Sequence, residues 1–134
     1  MSVAPGFIED LRHSVLDLHK GLLDAQRIRY EREHGRIATS GEFLGLVLEH
    51  PSFAWLRTLS ALIARIDEWI EEQDEKQAAK PADGLADLIA ALRSLIARDA
   101  NHATFSAPYW EIVDEVPAVL VEHVKLGRLL ESTR

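Results

Sequence analysis

No cysteine occurs among the 134 residues. Disulfides, a thiol nucleophile and cysteine-ligated zinc are therefore excluded. Cationic charge is also in short supply, with 15 Lys and Arg against 22 Asp and Glu and a formal net charge of −7. That balance argues against a general binder of nucleic acid or of an anionic membrane. Charge interrupts every apolar run before the ~18 residues that a bilayer span needs. The opening Met1-Ser2-Val3-Ala4-Pro5-Gly6 has no basic stretch followed by an apolar one, so no secretory signal is expected and a soluble cytoplasmic chain is. The seven glycines form neither Gly-x-Gly-x-x-Gly nor Gly-x-x-x-x-Gly-Lys-Ser/Thr, and no Gly-x-Ser-x-Gly elbow is present.

What the sequence does have is helical periodicity. Ile8, Leu11, Val15, Leu18, Leu22 and Ala25 recur at steps of three and four, which predicts a long one-sided helix. It should end near His34, where Gly35 can take the left-handed C′ conformation. Thr39-Ser40-Gly41-Glu42 reads as a capping box. A short helix from Phe43 to about His50 should follow, cut by Pro51. It is apolar nearly all round and is expected to be covered on several sides. Ser52 is placed to cap a second long helix on Leu56, Leu59, Ile63, Ile66 and Ile70, flanked by Trp55, Leu62 and Trp69 at seven-residue spacing.

Lys80-Pro81-Ala82-Asp83-Gly84 is the clearest linker. Asp83 can cap a third helix on Leu85, Leu88, Ile89, Leu92, Leu95 and Ile96, ending around Asn101-His102. Ser106 can cap a fourth segment, with Pro108 tolerated in its first turn. Pro117 removes an amide in mid-segment and predicts a kink or restart before Val119, Leu126 and Leu130. No strand-like alternation persists. The fold expected is all-α: a single domain, residues 1–134, built as an antiparallel up-and-down four-helix bundle with an extra short helix between the first two long helices.

Sites in helix bundles arise where polar residues fall on apolar stripes. His19 lies close to the centre of the first stripe, with Arg12, Gln26 and Tyr30 along its flank. Ser60 and Asp67 occupy a similar edge on the second long helix, and His123 falls inside the apolar side of the last. One reading joins His19, Asp67 and His123, with Arg12, Tyr30 and Ser60 nearby, into a semi-buried cluster for a divalent metal or a small ligand. The other is structural: Asp67 pairs with Arg12 or His19 and fixes helix register.

Metal spacings are thin. Glu31-Arg32-Glu33-His34 matches Glu-x-x-His, and Asp10 to His13 and Asp99 to His102 are aspartate versions, but no inward glutamate ladder accompanies them. His-x-x-x-His is absent. The group Arg27, Arg29, Arg32 and Arg36 could receive a phosphate or an acidic partner, or form a solvated face partly neutralised by Glu31 and Glu33. Trp55, Leu62 and Trp69, if left uncovered, would make a ridge suited to a subunit contact.

The stretches His19-Lys20-Gly21-Leu22-Leu23, Arg27-Ile28-Arg29-Tyr30-Glu31, His50-Pro51-Ser52-Phe53-Ala54-Trp55-Leu56-Arg57 and Ile66-Asp67-Glu68 resemble a family of small uncharacterised bacterial all-helical proteins. Pro117, His123 and Leu129-Leu130 in the tail are similar too. The resemblance implies a bacterial cytoplasmic protein and carries over no catalytic residue. The leading reading is a non-enzymatic helical interaction module that self-associates as a homodimer, with the second long helix as its contact surface, and needs no cofactor. The alternative is a mononuclear metal- or small-ligand-binding bundle holding one divalent metal.

Overall fold

The computed structural model describes residues 6–76, 84–99, 102 and 104–133, with the side chains of 74–76 left out. The described residues are all-helical and contain no strand. Seven helices run in the order α1 (Phe7–His34), α2 (Ser40–Glu49), α3 (Pro51–Ala54), α4 (Arg57–Lys76), α5 (Leu85–Ile96), α6 (Ser106–Glu115) and α7 (Pro117–Glu131). Among them none is long and apolar enough to cross a membrane.

Helix α1 ends where its sequence predicts, with the Gly35 amide donating to the Glu31 carbonyl, but Gly35 at φ 92° and ψ 170° is extended rather than left-handed helical. That positive φ is open to glycine and strained for a residue with a Cβ. The Thr39 hydroxyl accepts from the Glu42 amide at 3.1 Å. Glu42 returns its bond one residue further out than a capping box requires, to the Ala38 amide at 3.3 Å.

The second long helix starts later than expected. Pro51 opens the separate turn α3, and the His50 ring, not Ser52, supplies its cap by accepting from the Ser52 amide at 3.0 Å. Helix α4 then begins at Arg57. The third helix stops at Ile96, short of the expected end, because Ala97 turns extended at φ −68° and ψ 139°. The expected Asp83 cap and most of the expected linker lie outside the described residues.

At the fourth segment Pro117 produces a full restart. Val116 is a single extended residue between two helices, and Pro117 sits in the first turn of α7. Ser106 is the first residue of α6 rather than its cap; its hydroxyl accepts from the His102 amide at 3.0 Å. The corner at Val116 brings α6 against α7, so that Tyr109 meets His123.

Helix α1 packs on α4 and α7, and α5 packs on α4 and α7. Helices α1 and α4 run antiparallel, since residue 12 pairs with 67 and 19 with 60. Buried side chains from every helix except α2 join in one connected core, with Leu11, Leu18, Leu22, Leu59, Ile66, Leu92, Tyr109 and Ile112 among its largest members. Each such leucine or isoleucine contributes about 1.5–3 kcal/mol of transfer free energy, opposed by chain entropy.

Helix α2 departs from expectation. No residue of it is buried, and Leu44 and Leu48 are 58% and 62% exposed. It is attached along one side only, where Phe43 meets Phe53 edge-on at 5.8 Å and the Arg27 guanidinium stands 4.7 Å over the Phe43 ring.

Candidate functional site

The polar residues picked out on α1 meet partners on α4 and on the turn just before it, as three rungs spaced seven residues apart along α1. At the outer rung the Arg12 Nε donates to Asp67 Oδ1 at 2.6 Å, with both side chains partly in solvent. At the middle rung His19 Nε2 and the Ser60 hydroxyl are 2.9 Å apart, and Ser60 also donates to the Leu56 carbonyl at 3.2 Å. With the Ser60 proton on that carbonyl, its oxygen accepts from His19 Nε2–H. The inner rung is buried: Trp55 Nε1–H donates to Gln26 Oε1 at 3.1 Å. A repeat of seven suits this seam, because two turns of α-helix return a residue to nearly the same face.

His123 is elsewhere. It lies beside α6, where Nδ1 accepts from the Tyr109 hydroxyl at 2.5 Å and the ring meets Trp110 edge-on at 4.8 Å. Burial pushes the Tyr109 hydroxyl well above its ordinary value, so it keeps its proton and serves as donor. Burial, and after it the Arg98 charge, lowers His123; burial alone lowers His19. Both imidazoles are thereby held neutral. Arg98 stacks at 3.8 Å over Trp110 and pairs through both terminal nitrogens with Asp114, at 3.0 and 3.1 Å. Tyr30 sits at the far end of α1, among His34, His50 and Phe53.

The expected His19, Asp67 and His123 cluster is therefore not assembled. Each of the three has a different partner, on two separate helix contacts. Among the described residues, no group of three or more His, Asp or Glu side chains stands close enough to share a metal ion. The geometric reason is rotational: His19 faces α4, whereas the Val116 corner turns His123 toward α6.

The expected contact ridge is also changed. Trp55 and Leu62 are each only 7% exposed, and Trp69 packs so closely on Gly84 that a Cβ there would stand 3.3 Å from Trp69 Cδ1. Phe105 covers Trp55 at 5.5 Å between rings. Trp55 and Leu62 belong to the interior and Trp69 is half-buried at its edge, so the three do not line up as one uncovered ridge.

Two members of the arginine group are partnered. Arg29 reaches Glu115 at 2.8 Å and Glu111 at 3.3 Å on α6, and Arg27 lies 3.8 Å from Glu31.

Sequence reasoning missed the outward face of α2. Gly41, Leu44, Gly45 and Leu48 are all exposed. Their spacing of i, i+3, i+4 and i+7 puts them on one stripe. That spacing is visible in the sequence, but the surrounding Phe43, Leu46 and Val47 hide it in a segment that reads as apolar all round.

No protein-family model, curated protein or solved structure matches the chain.

Proposed function

We propose that the protein is a non-enzymatic helical interaction module that forms a homodimer through the outer face of α2. The scaffold behind that face is read as an up-and-down four-helix bundle of α1, α4, α5 and α7, with α6 as a corner piece. The observation that carries the reading is the pairing of two exposed leucines with two glycines on one stripe of a helix attached along only one side.

The glycines have no steric role within the chain, since a Cβ built on Gly41 or Gly45 meets nothing within 4 Å. Each costs about 1 kcal/mol of helix stability relative to alanine. A second copy supplies a reason for them. In an antiparallel α2 pair centred between residues 44 and 45, Leu48 lies over Gly41 of the partner subunit and Leu44 over the partner's Gly45. The stripe is then self-complementary, as a two-fold contact requires. Beside it a recess of about 330 Å³, lined in part by Gly45, Leu46 and His50, leaves room for a partner leucine. One ten-residue helix per copy is a small contact, which places the dimer among weak, concentration-dependent associations.

Sedimentation velocity across micromolar to millimolar protein tests this. The expected result is a monomer–dimer equilibrium that Leu44→Glu with Leu48→Glu abolishes while the helical circular dichroism is kept. A wild-type chain that stays monomeric throughout overturns the reading.

A further inference from the structure

His50 stands at the joint between α2 and α3 and serves both helices. Its backbone amide closes α2 on the Leu46 carbonyl at 2.8 Å, and its ring opens α3, with Nδ1 accepting from the Ser52 amide at 3.0 Å. That second bond fixes the state of the ring. Nδ1 accepts only through its lone pair, so the imidazole is neutral and its one proton is on Nε2. A further proton goes to Nδ1 and sets an N–H against the Ser52 N–H. Turning the ring over does not restore the bond, because Cδ2 then faces the amide.

Helix α2 depends on this joint, since none of its own residues is buried. Its Phe43 ring rests on Phe53 of α3, a turn of four residues in which Pro51 has no amide to give and the Ser52 amide is held by His50. The His50 ring itself meets Tyr30 of α1 edge-on at 5.1 Å. Two further ties do not pass through His50: Arg27 over the Phe43 ring, and Arg57 of α4 donating to the Leu48 carbonyl.

The charged and titratable groups around the ring come from two sides. On the α1 side, beside Tyr30, the His34 ring centre is 5.7 Å away. Glu33 lies 3.7 Å from His34 and favours a cation there, which opposes a second cation on His50 while the joint is closed. On the α2 side Glu42 and Glu49 share a recess with His50. They favour proton uptake by His50 and offer the charged ring a partner away from Ser52. On either side, the charged ring and the Ser52 bond exclude each other.

We propose that His50 is an acid-operated latch. Neutral, it holds α3, and with it α2, against α1; protonated, it lets the turn go and frees α2 from Phe53. The latch is whole above the ordinary imidazole value of about 6.5 and is lost as pH falls below it. With the second proton excluded from the closed joint, the closed-to-open ratio drops about tenfold from pH 7.5 to 5.5. This attachment lies within one chain and stands whether or not copies pair through α2.

Amide hydrogen exchange and ring ¹⁵N shifts of the full chain, at a dilution where sedimentation shows monomer, test the latch apart from the dimer. Ring shifts should place the His50 proton on Nε2 at about pH 7.5. Protection of the Ser52 amide and of residues 46–49, relative to an unstructured chain, should fall about tenfold between pH 7.5 and 5.5. Leu18 and Leu22, in the core, report global opening on the same sample. His50→Asn supplies a cap acceptor that does not titrate and should hold the protection level. His34→Gln should keep the fall. A proton on Nδ1 at neutral pH, level protection in the wild-type chain, or a fall that survives in His50→Asn overturns the proposal. So does a fall abolished by His34→Gln, because His34 is then the sensor.

Discussion

At the scale of single residues, burial decides which rung of the α1–α4 seam matters. Arg12 and Asp67 keep 40% and 46% of their side-chain surface in water. Solvent and salt screen such a pair, and its loss costs about 0–1 kcal/mol. Gln26 and Trp55 are 9% and 7% exposed. Gln26→Leu would strand the indole N–H, at about 1–3 kcal/mol. Urea unfolding should therefore show Gln26→Leu more destabilising than Arg12→Ala. Adding Trp55→Phe to Gln26→Leu should recover part of the loss, since the stranded donor is then gone. A double variant whose cost equals the sum of the two single costs would show that the indole and amide do not interact.

At the scale of helices, α2 separates a role inside the chain from a role between chains. Gly41→Ala with Gly45→Ala should raise thermal stability in dilute protein, because alanine favours helix by about 1 kcal/mol per site. The same change should weaken dimerisation, because two methyl groups stand where the partner's leucines approach. Thermal melts and sedimentation on one sample give both readings, and a gain in stability with dimerisation untouched contradicts the α2 pairing.

The same scale shows what the sequence makes legible. The α1 stripe, its stop at Gly35 and the Thr39 cap follow from local rules of period and capping. The Arg12–Asp67 contact is one of the two pairings that residue position alone allows. The separation of His19 from His123 is not local. It depends on the one-residue corner at Val116, where Pro117 reads equally well as a kink in one rod or as a new start. Trp55 and Leu62 at seven-residue spacing look the same in sequence whether α5 and Phe105 cover them or a second subunit does.

Across the whole molecule two half-buried imidazoles tie stability to pH. His19 and His123 both titrate below their ordinary value of 6.5, through burial first and, for His123, the Arg98 charge second. His19 faces Ser60 of α4, and His123 faces Tyr109 and Trp110 of α6. No carboxylate is paired with either ring in this structure among the described residues, so nothing there rewards protonation. Below about 6.5 the unfolded chain takes up protons that the folded chain resists, and stability falls with falling pH. The stabilisation is whole above the unfolded value and is lost as pH drops toward the folded values. Urea midpoints should thus be level from about pH 8 to 7 and decline below about 6.5. His19→Gln keeps a donor where Nε2–H stands, and His123→Asn keeps an acceptor where Nδ1 stands. The paired variant should stay within about 1–2 kcal/mol of the parent's stability at neutral pH and flatten the decline between about pH 6.5 and 5. An equally steep decline in that variant would take the acid sensitivity away from these two imidazoles; Asp114, held low by its bonds to Arg98, cannot supply it, since its share is lost only below its ordinary value of 3.8.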